Sequence, residues 1–194
     1  MANLFLDPVS FFRSANGFRL GIAVLVLVAI QTTGIASLVV KMAFFVPDED
    51  LSVPVVGYMV GLGMSTLITA MFSLLVAFAV FWVLSWFCRD GIPLHKLLLT
   101  FCYALIPGQF ATLVVRSLLI IFSSGSTPLS TITNATSMAA FVENPPTYLT
   151  VLDPFLFWSV VLLALGYTEL TGGKRSRWFS LGISLVPLVL SRMI

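Results

Sequence analysis

Long apolar stretches separated by short polar segments dominate the chain. A helix needs about 20 apolar residues to cross the hydrocarbon core of a bilayer. Five stretches between the charged residues come near this length, at residues 20–40, 62–87, 97–122, 151–170 and 178–193. The last is short, at about 16 residues, so it must tilt little or thin the bilayer locally. The pattern predicts an all-α integral membrane protein in which residues 20–194 form one bundle of five transmembrane helices.

The composition agrees with this pattern. Hydrophobic residues make up 59% of the chain and charged residues 9%, and the mean hydropathy is +1.07. Such a chain lacks the polar surface that a soluble globular protein needs. The net charge of +2 is too small to suggest nucleic-acid binding. The lipid bilayer is therefore the expected partner, and nucleic acid is not.

The basic residues are distributed unevenly over the two membrane sides. With five spans, the amino terminus and the second and fourth connections share one side, which carries Arg13, Arg19, Arg89, Lys96, Lys174, Arg175 and Arg177. The other side carries Lys41 and Arg192, together with an acidic cluster at residues 47–50. Cytoplasmic loops are enriched in Lys and Arg. We therefore predict a protein of the cell (inner) membrane with a cytoplasmic amino terminus and an external carboxyl terminus.

The segment before the first span, residues 1–19, contains the stretch DPVSFFRS. Asp7 can cap a helix whose first turn holds Pro8, and two aromatic residues follow at Phe11 and Phe12. This pattern predicts a short helix that lies in the cytoplasmic interface of the membrane. An ordinary linker is the alternative.

The third span contains a proline and an inclined row of small or polar residues. Pro107 removes a backbone donor and leaves the carbonyl of Tyr103 in need of a partner, which Gln109 or a neighbouring helix could supply. Four residues recur every four positions and form the row, namely Ala104, Gly108, Thr112 and Arg116. Small residues let another helix approach closely. We predict that this face is buried against the bundle.

The second span carries a longer row of the same kind. Its members are Gly57, Gly61, Ser65, Thr69, Ser73 and Ala77. Such rows are typical of helix–helix contacts in membranes, and helix packing is the first interpretation. The lining of a ligand path is the second.

Charged residues inside the membrane are the strongest candidates for function, because each costs about 3 kcal/mol near the bilayer centre. Arg116, Asp153 and Glu169 qualify by position. The first two lie at similar depth near the outer ends of their spans, so we predict that they form a pair. Gln31 adds a polar group near the middle of the first span. A purely structural ion pair, or snorkelling to the headgroups, is the alternative.

Motifs of known catalytic sites are missing from the sequence. His95 is the single histidine, which excludes HExxH zinc sites and serine–histidine triads. The sequence also lacks a Walker motif, paired intramembrane aspartates and the cysteine spacing of a metal site. We therefore expect no enzyme activity, no cofactor and no metal.

Several stretches resemble the bacterial branch of the YIP-domain family, the Ypt/Rab-interacting multi-pass membrane proteins. They are DPVSFFRS before the first span, the loop CRDGIPLHKLL leading into FCYALIPGQF, and LDPFLFWSVVLLALGYTEL followed by a basic turn and a last apolar helix. The resemblance implies five spans, a cytoplasmic amino terminus and a role in organising membranes. The DLxGP-like motif of eukaryotic members is missing here, so Rab binding is not implied.

Two functions follow from these observations. The first is a non-enzymatic membrane protein that organises or binds other membrane proteins or lipids, with a homodimer as one form. The alternative is a small transporter or lipid translocase with a polar path near Gln31, Arg116 and Asp153. A continuous polar cavity would favour transport, whereas dry and closely packed rows would favour the first function.

Overall fold

Helices make up nearly all of the computed structural model, which describes residues 4, 7–14, 20–45, 55–122, 135–142, 146 and 148–193. Its α-helices are α1 (Pro8–Ser14), α2 (Leu20–Phe45), α3 (Val55–Phe87), α4 (Leu94–Phe122), α5 (Tyr148–Val151), α6 (Pro154–Leu170) and α7 (Arg177–Met193). A 3-10 helix at Met138–Phe141 precedes α5. These residues contain no strand, so the predicted all-α class is confirmed for the described part of the chain.

Three helices are long and apolar enough to cross a membrane by length and composition. The apolar windows are Leu20–Ser37 in α2, Gly63–Phe87 in α3 and Leu94–Phe122 in α4. Helices α6 and α7 have 17 residues each, which corresponds to about 25 Å and is shorter than the hydrocarbon core of about 30 Å. The chain is thus a helical protein suited to a membrane, with three long apolar helices and two shorter ones.

The five larger helices form a ring. Helix α2 packs on α3 and α4, α4 packs on α6, α6 packs on α7, and α7 packs on α3, whereas α3 and α4 touch each other only slightly. Two turns, at residues 88–93 between α3 and α4 and at residues 171–176 between α6 and α7, lie at the same end of this ring. We call this end the turn end.

Aromatic side chains fill the ring near the turn end. The rings of Phe81 and Tyr167 are 5.7 Å apart, and those of Phe78 and Phe101 are 5.5 Å apart. Phe81 also lies 6.0 Å from Phe101, so these four residues, called the aromatic cluster below, form one continuous layer. Offset and edge-on ring contacts of this kind stabilise a core beyond the area that they bury.

The predicted amino-terminal helix forms, and it packs on α6. The Ser10 N–H donates to the Asp7 carboxylate at 3.2 Å, as expected of a helix cap. Phe11 and Phe12 are buried, and the ring of Phe11 lies 5.2 Å from that of Tyr103. The aromatic face of α1 therefore contacts the bundle, and the location of this helix in the cytoplasmic interface of the membrane stays a prediction.

The small-residue rows contact other helices over part of their length. A Cβ atom at Gly108 would lie 2.6 Å from the carbonyl oxygen of Phe155, so α4 and α6 approach closely there. Pro107 beside it is fully buried. Gly57 and Gly61 have no atom within 4 Å of such a Cβ position. Within the described residues no close helix contact is therefore found at these two glycines, and their role in packing, within the chain or in a homodimer, stays a prediction.

Candidate functional site

A polar cavity of about 410 Å³ lies in the half of the ring that is remote from the turn end. Helices α2, α3, α4 and α7 surround it. Its polar lining consists of Gln31, Ser65, Thr66, Thr69, Ser73, Gln109, Thr112, Arg116 and Ser191. So many polar side chains around one space are unusual in a bundle whose outer surface is apolar, since polar groups in hydrocarbon are costly.

Two glutamines form the inner part of the cavity wall. The Gln31 side-chain amide donates to the Gln109 carbonyl oxygen at 3.1 Å, which joins α2 to α4. Gln31 lies about 17 Å along α2 from Leu20, and Gln109 lies about 22 Å along α4 from Leu94. Each amide is therefore near the middle of its helix, since α2 has 26 residues and α4 has 29. Each amide keeps further donors or acceptors that a ligand or water can use.

Hydroxyl groups line the opposite wall and continue outward. Ser73 donates to the carbonyl oxygen of Ser191 at 2.6 Å, which ties α3 to the end of α7. Thr112 donates to the Gly108 carbonyl within α4 at 3.0 Å. Ser65 and Thr69 are exposed, so the cavity is open at the surface of α3.

Arg116 places a positive charge in this cavity. It lies one helical turn beyond Thr112 on the same face of α4, and its side chain is half-buried. A guanidinium group offers five donors in a planar fork, which suits phosphate and carboxylate groups. The cavity thus combines amides at its inner end, hydroxyls along its wall and a cation on its outer side.

The aromatic cluster separates this cavity from the turn end. Leu74 lines the cavity, and one turn further along α3 Phe78 belongs to the cluster. Phe81, Phe101 and Tyr167 are buried to 3% exposure or less. In the described residues the polar space therefore has an open outer half and an apolar floor, and it is not a continuous path through the bundle.

The structure brings together three of the six candidate polar residues. Gln31, Gln109 and Arg116 line the cavity. Tyr103 is buried beside α1, and Glu169 lies near the end of α6, outside the lining. Among the packing residues, Ser65 and Thr69 belong to the cavity lining instead of a closed helix contact.

Asp153 is fully buried but does not line the cavity. Its carboxylate accepts from the Phe155 N–H at 2.9 Å and from the Thr136 hydroxyl at 2.7 Å. It is the N-cap of α6, with Pro154 at the first helical position. These two contacts of its carboxylate lie at the cap and on the segment before α5, and the pair with Arg116 stays a prediction.

The two turns are joined by a charged contact that the sequence pattern does not single out. The Asp90 carboxylate accepts from the Arg175 Nε at 2.9 Å and from the Tyr167 hydroxyl. Arg175 also donates to the Cys88 carbonyl and lies 5.1 Å from the ring centre of Phe179. We call this group of contacts the turn clamp. The hydrogen bond to Asp90 raises the pKa of the Arg175 guanidinium, which stays charged.

A signal for the turn clamp was visible in the sequence. Asp90 is the one acidic residue between Cys88 and Lys96 in a segment that is otherwise basic. An acidic residue in that position suggests that its carboxylate pairs with a basic side chain. The identity of the partner could not be read from the sequence, because Arg175 is 85 positions away.

The described residues offer binding groups more than reactive ones. They contain no group of three or more His, Cys, Asp or Glu side chains that could hold a metal ion. The cavity presents amides, hydroxyls and one guanidinium, which can orient and neutralise a polar ligand. Comparisons with protein-family models, curated proteins and solved structures find no match for this chain.

Proposed function

We propose that this protein is a non-enzymatic, multi-pass membrane protein that binds the headgroup of a membrane lipid in the cavity between Gln31 and Arg116. The observation that carries the proposal is the polar cavity itself, which lies between helices that are otherwise apolar. Its volume of about 410 Å³ lies within the range of small-molecule sites, roughly 300–1,000 Å³.

The arrangement of groups favours a lipid over a freely soluble ligand. Ser65 and Thr69 are exposed on α3, and we infer that the cavity opens toward the hydrocarbon beside them, so that a lipid can insert its headgroup while its chains stay in the bilayer. Arg116 can neutralise a phosphate, and the two glutamines can bind hydroxyl or amide groups of the headgroup. The aromatic cluster stops the headgroup at mid-depth.

Five spans, with the amino terminus in the cytoplasm and the carboxyl terminus outside, are part of the proposal. Helices α6 and α7 are apolar and pack along the long helices, which supports two further crossings. The basic residues of the turn end support its cytoplasmic location in the cell membrane. The stretches that resemble the YIP-domain family support a membrane-organising role, in which bound lipid or other membrane proteins are the partners.

The test removes both amides of the inner wall. The double variant Gln31→Leu/Gln109→Leu removes both partners of the hydrogen bond, so no buried amide is left unsatisfied and the fold is expected to survive. We expect protein purified in mild detergent to lose its most tightly held lipid, counted by native mass spectrometry. Thr33→Val, at an exposed position of α2 outside the cavity lining, is the control and should retain it. Equal lipid content in wild type and double variant would contradict the proposal.

Transport is the second candidate, because the same cavity could be the outer half of a path. The aromatic cluster closes that path in this conformation, so transport requires its rings to separate. Lipid exchange between leaflets of proteoliposomes, measured with fluorescent lipids, distinguishes the two. Exchange that depends on Gln31 and Gln109 would favour the transporter, and tight binding without exchange would favour the binding protein.

A further inference from the structure

A second concave surface lies at the turn end, on the opposite side of the aromatic cluster from the cavity. It has a volume of about 530 Å³ and is lined by Trp82, Ser85, Trp86, Phe87, Arg89, Gly91 and Ile92. We call it the interfacial groove. It combines the last turns of an apolar helix with the first residues of a polar turn, so it lies where hydrocarbon gives way to headgroups.

The groove contains an exposed cation. Arg89 has a positive φ of 54°, and Gly91 has one of 64°, a backbone conformation that is unusual for a residue with a side chain. The Arg89 N–H donates to the Trp86 carbonyl at 3.0 Å and closes the helix end. In the part of the chain that the structure describes, no carboxylate pairs with the Arg89 side chain.

The turn clamp explains why Arg89 keeps its charge available. Its sequence neighbour Asp90 is the nearest acid along the chain, but both Asp90 oxygens are engaged by Arg175 and Tyr167. The Asp90 side chain is only 9% exposed. Three further basic residues lie in these two turns or in the first turn of the helix that follows, namely Lys96, Lys174 and Arg177. The turn end thus carries more basic than acidic residues, which attracts anionic headgroups.

Aromatic rings provide the other half of the groove. Trp82 and Trp86 are one helical turn apart on α3, and the second is 68% exposed. Tryptophan is enriched at membrane interfaces because its ring is apolar and its N–H can bond to headgroups. Two such rings beside a guanidinium match a molecule with an anionic phosphate next to an apolar chain.

We propose that the interfacial groove binds one anionic phospholipid, with its phosphate on the Arg89 guanidinium and its glycerol and upper acyl chain on Trp82 and Trp86. This site is independent of the cavity and of the function proposed for it. A free phosphate ester is a poorer occupant, because it would leave both indole rings without an apolar partner.

The test measures which lipids lie next to these two tryptophans. Protein with Trp158→Phe and Trp178→Phe is placed in phosphatidylcholine nanodiscs that contain brominated phosphatidylglycerol or, for comparison, brominated phosphatidylcholine. Bromine quenches indole fluorescence at short range. At physiological salt we expect about a tenfold preference for phosphatidylglycerol, which Arg89→Gln abolishes and Arg89→Lys partly keeps. Lys174→Gln removes the same charge outside the groove and should leave the preference within about twofold of wild type.

Three results would overturn the proposal. The first is equal quenching by both brominated lipids in the wild-type protein, which needs no variant and does not depend on how Arg89→Gln folds. The second is an equal loss of preference in Arg89→Gln and Lys174→Gln, which would indicate diffuse surface attraction. The third is displacement of the lipid by water-soluble glycerol 3-phosphate, which would show that the indoles add nothing. The Gln31→Leu/Gln109→Leu variant should keep the preference, so failure of the cavity proposal and failure of this one are distinguishable.

Discussion

Replacing Gly108 by alanine should destabilise the protein at the contact between α4 and α6. The added Cβ would lie 2.6 Å from the Phe155 carbonyl oxygen and would also overlap the Ser159 hydroxyl. That hydroxyl donates to the same carbonyl at 3.0 Å and cannot turn away without losing its bond. A backbone carbonyl in the middle of a helix moves only with the helix, so the clash must be relieved by separating α4 from α6.

Two opposing effects determine the magnitude. Forcing an extra methyl group into a packed contact costs about 1–3 kcal/mol, and the upper half of this range applies because backbone must move. Alanine gains about 1 kcal/mol over glycine in a helix interior. The free energy of unfolding should therefore fall by about 1–2 kcal/mol. For a chain of this length the melting temperature should fall by about 2–8 °C.

Gly61→Ala is the matched control, since the same change is made inside another long helix. No atom lies within 4 Å of the added Cβ, so only the helix preference remains, and the melting temperature should stay the same or rise by a few degrees. Cys102 is buried, and in a Cys88→Ser background it reacts with a maleimide dye on unfolding, which gives the melting curve in detergent. Equal shifts in the two variants would refute the close contact at Gly108.

Three further predictions concern other contacts. Asp90→Ala should lower the melting temperature more than Lys174→Gln. The loss of the Asp90 carboxylate leaves the buried Tyr167 hydroxyl without its acceptor and separates the two turns. Equal melting temperatures of the two variants would contradict the turn clamp. Asp153→Ala should lower the free energy of unfolding by about 1 kcal/mol or more, because α6 loses its cap; an unchanged melting temperature in detergent would contradict the cap. Single cysteines at positions 95 and 174 should resist an impermeant maleimide in intact cells. Labelling of either position would show that the proposed orientation is reversed. Position 127, predicted to be external, lies outside the described residues.

The fold class was predictable because the bilayer leaves few solutions. A backbone in hydrocarbon must satisfy its hydrogen bonds within each segment, so long apolar stretches become helices. Helix caps were also predictable, because they involve only residues that are close in the sequence. Asp153 before Pro154 and Asp7 before Pro8 are both helix caps in the structure, because a cap depends only on residues within one turn.

The environment of each residue in the α3 row could not be predicted from the spacing of the row alone. Residues four apart drift by about 40° around a helix at each step, so five steps turn the row by about 200°. Gly57 and Gly61 consequently have no described atom within 4 Å of an added Cβ, whereas Ser65, Thr69 and Ser73 line the cavity and Ala77 is buried in the core. A single interpretation of the whole row, whether packing or ligand path, was bound to fail somewhere along its length. The turn clamp could not be predicted for a different reason. Its residues are far apart in the sequence and come together only in the folded ring of helices.

The distribution of contacts around the ring bears on whether the cavity only binds or also transports. Helices α4 and α6 are fixed to each other at Gly108, and a second close approach at Gly166 fixes α6 against Thr100 of α4 and Phe12 of α1. These three helices therefore form the rigid side of the bundle, because their backbones cannot slide without overlap.

Helices α3 and α4 touch only slightly, and the aromatic cluster bridges them through Phe78, Phe81 and Phe101. Movement that opened the cavity toward the turn end would have to separate these rings while α3 stays tied to α7 through Ser73. Such movement would also strain the turn clamp, which links Tyr167 of the cluster to the turn that follows α3. The turn clamp and the aromatic cluster thus oppose the same motion, which favours a cavity that holds its ligand over one that passes it on.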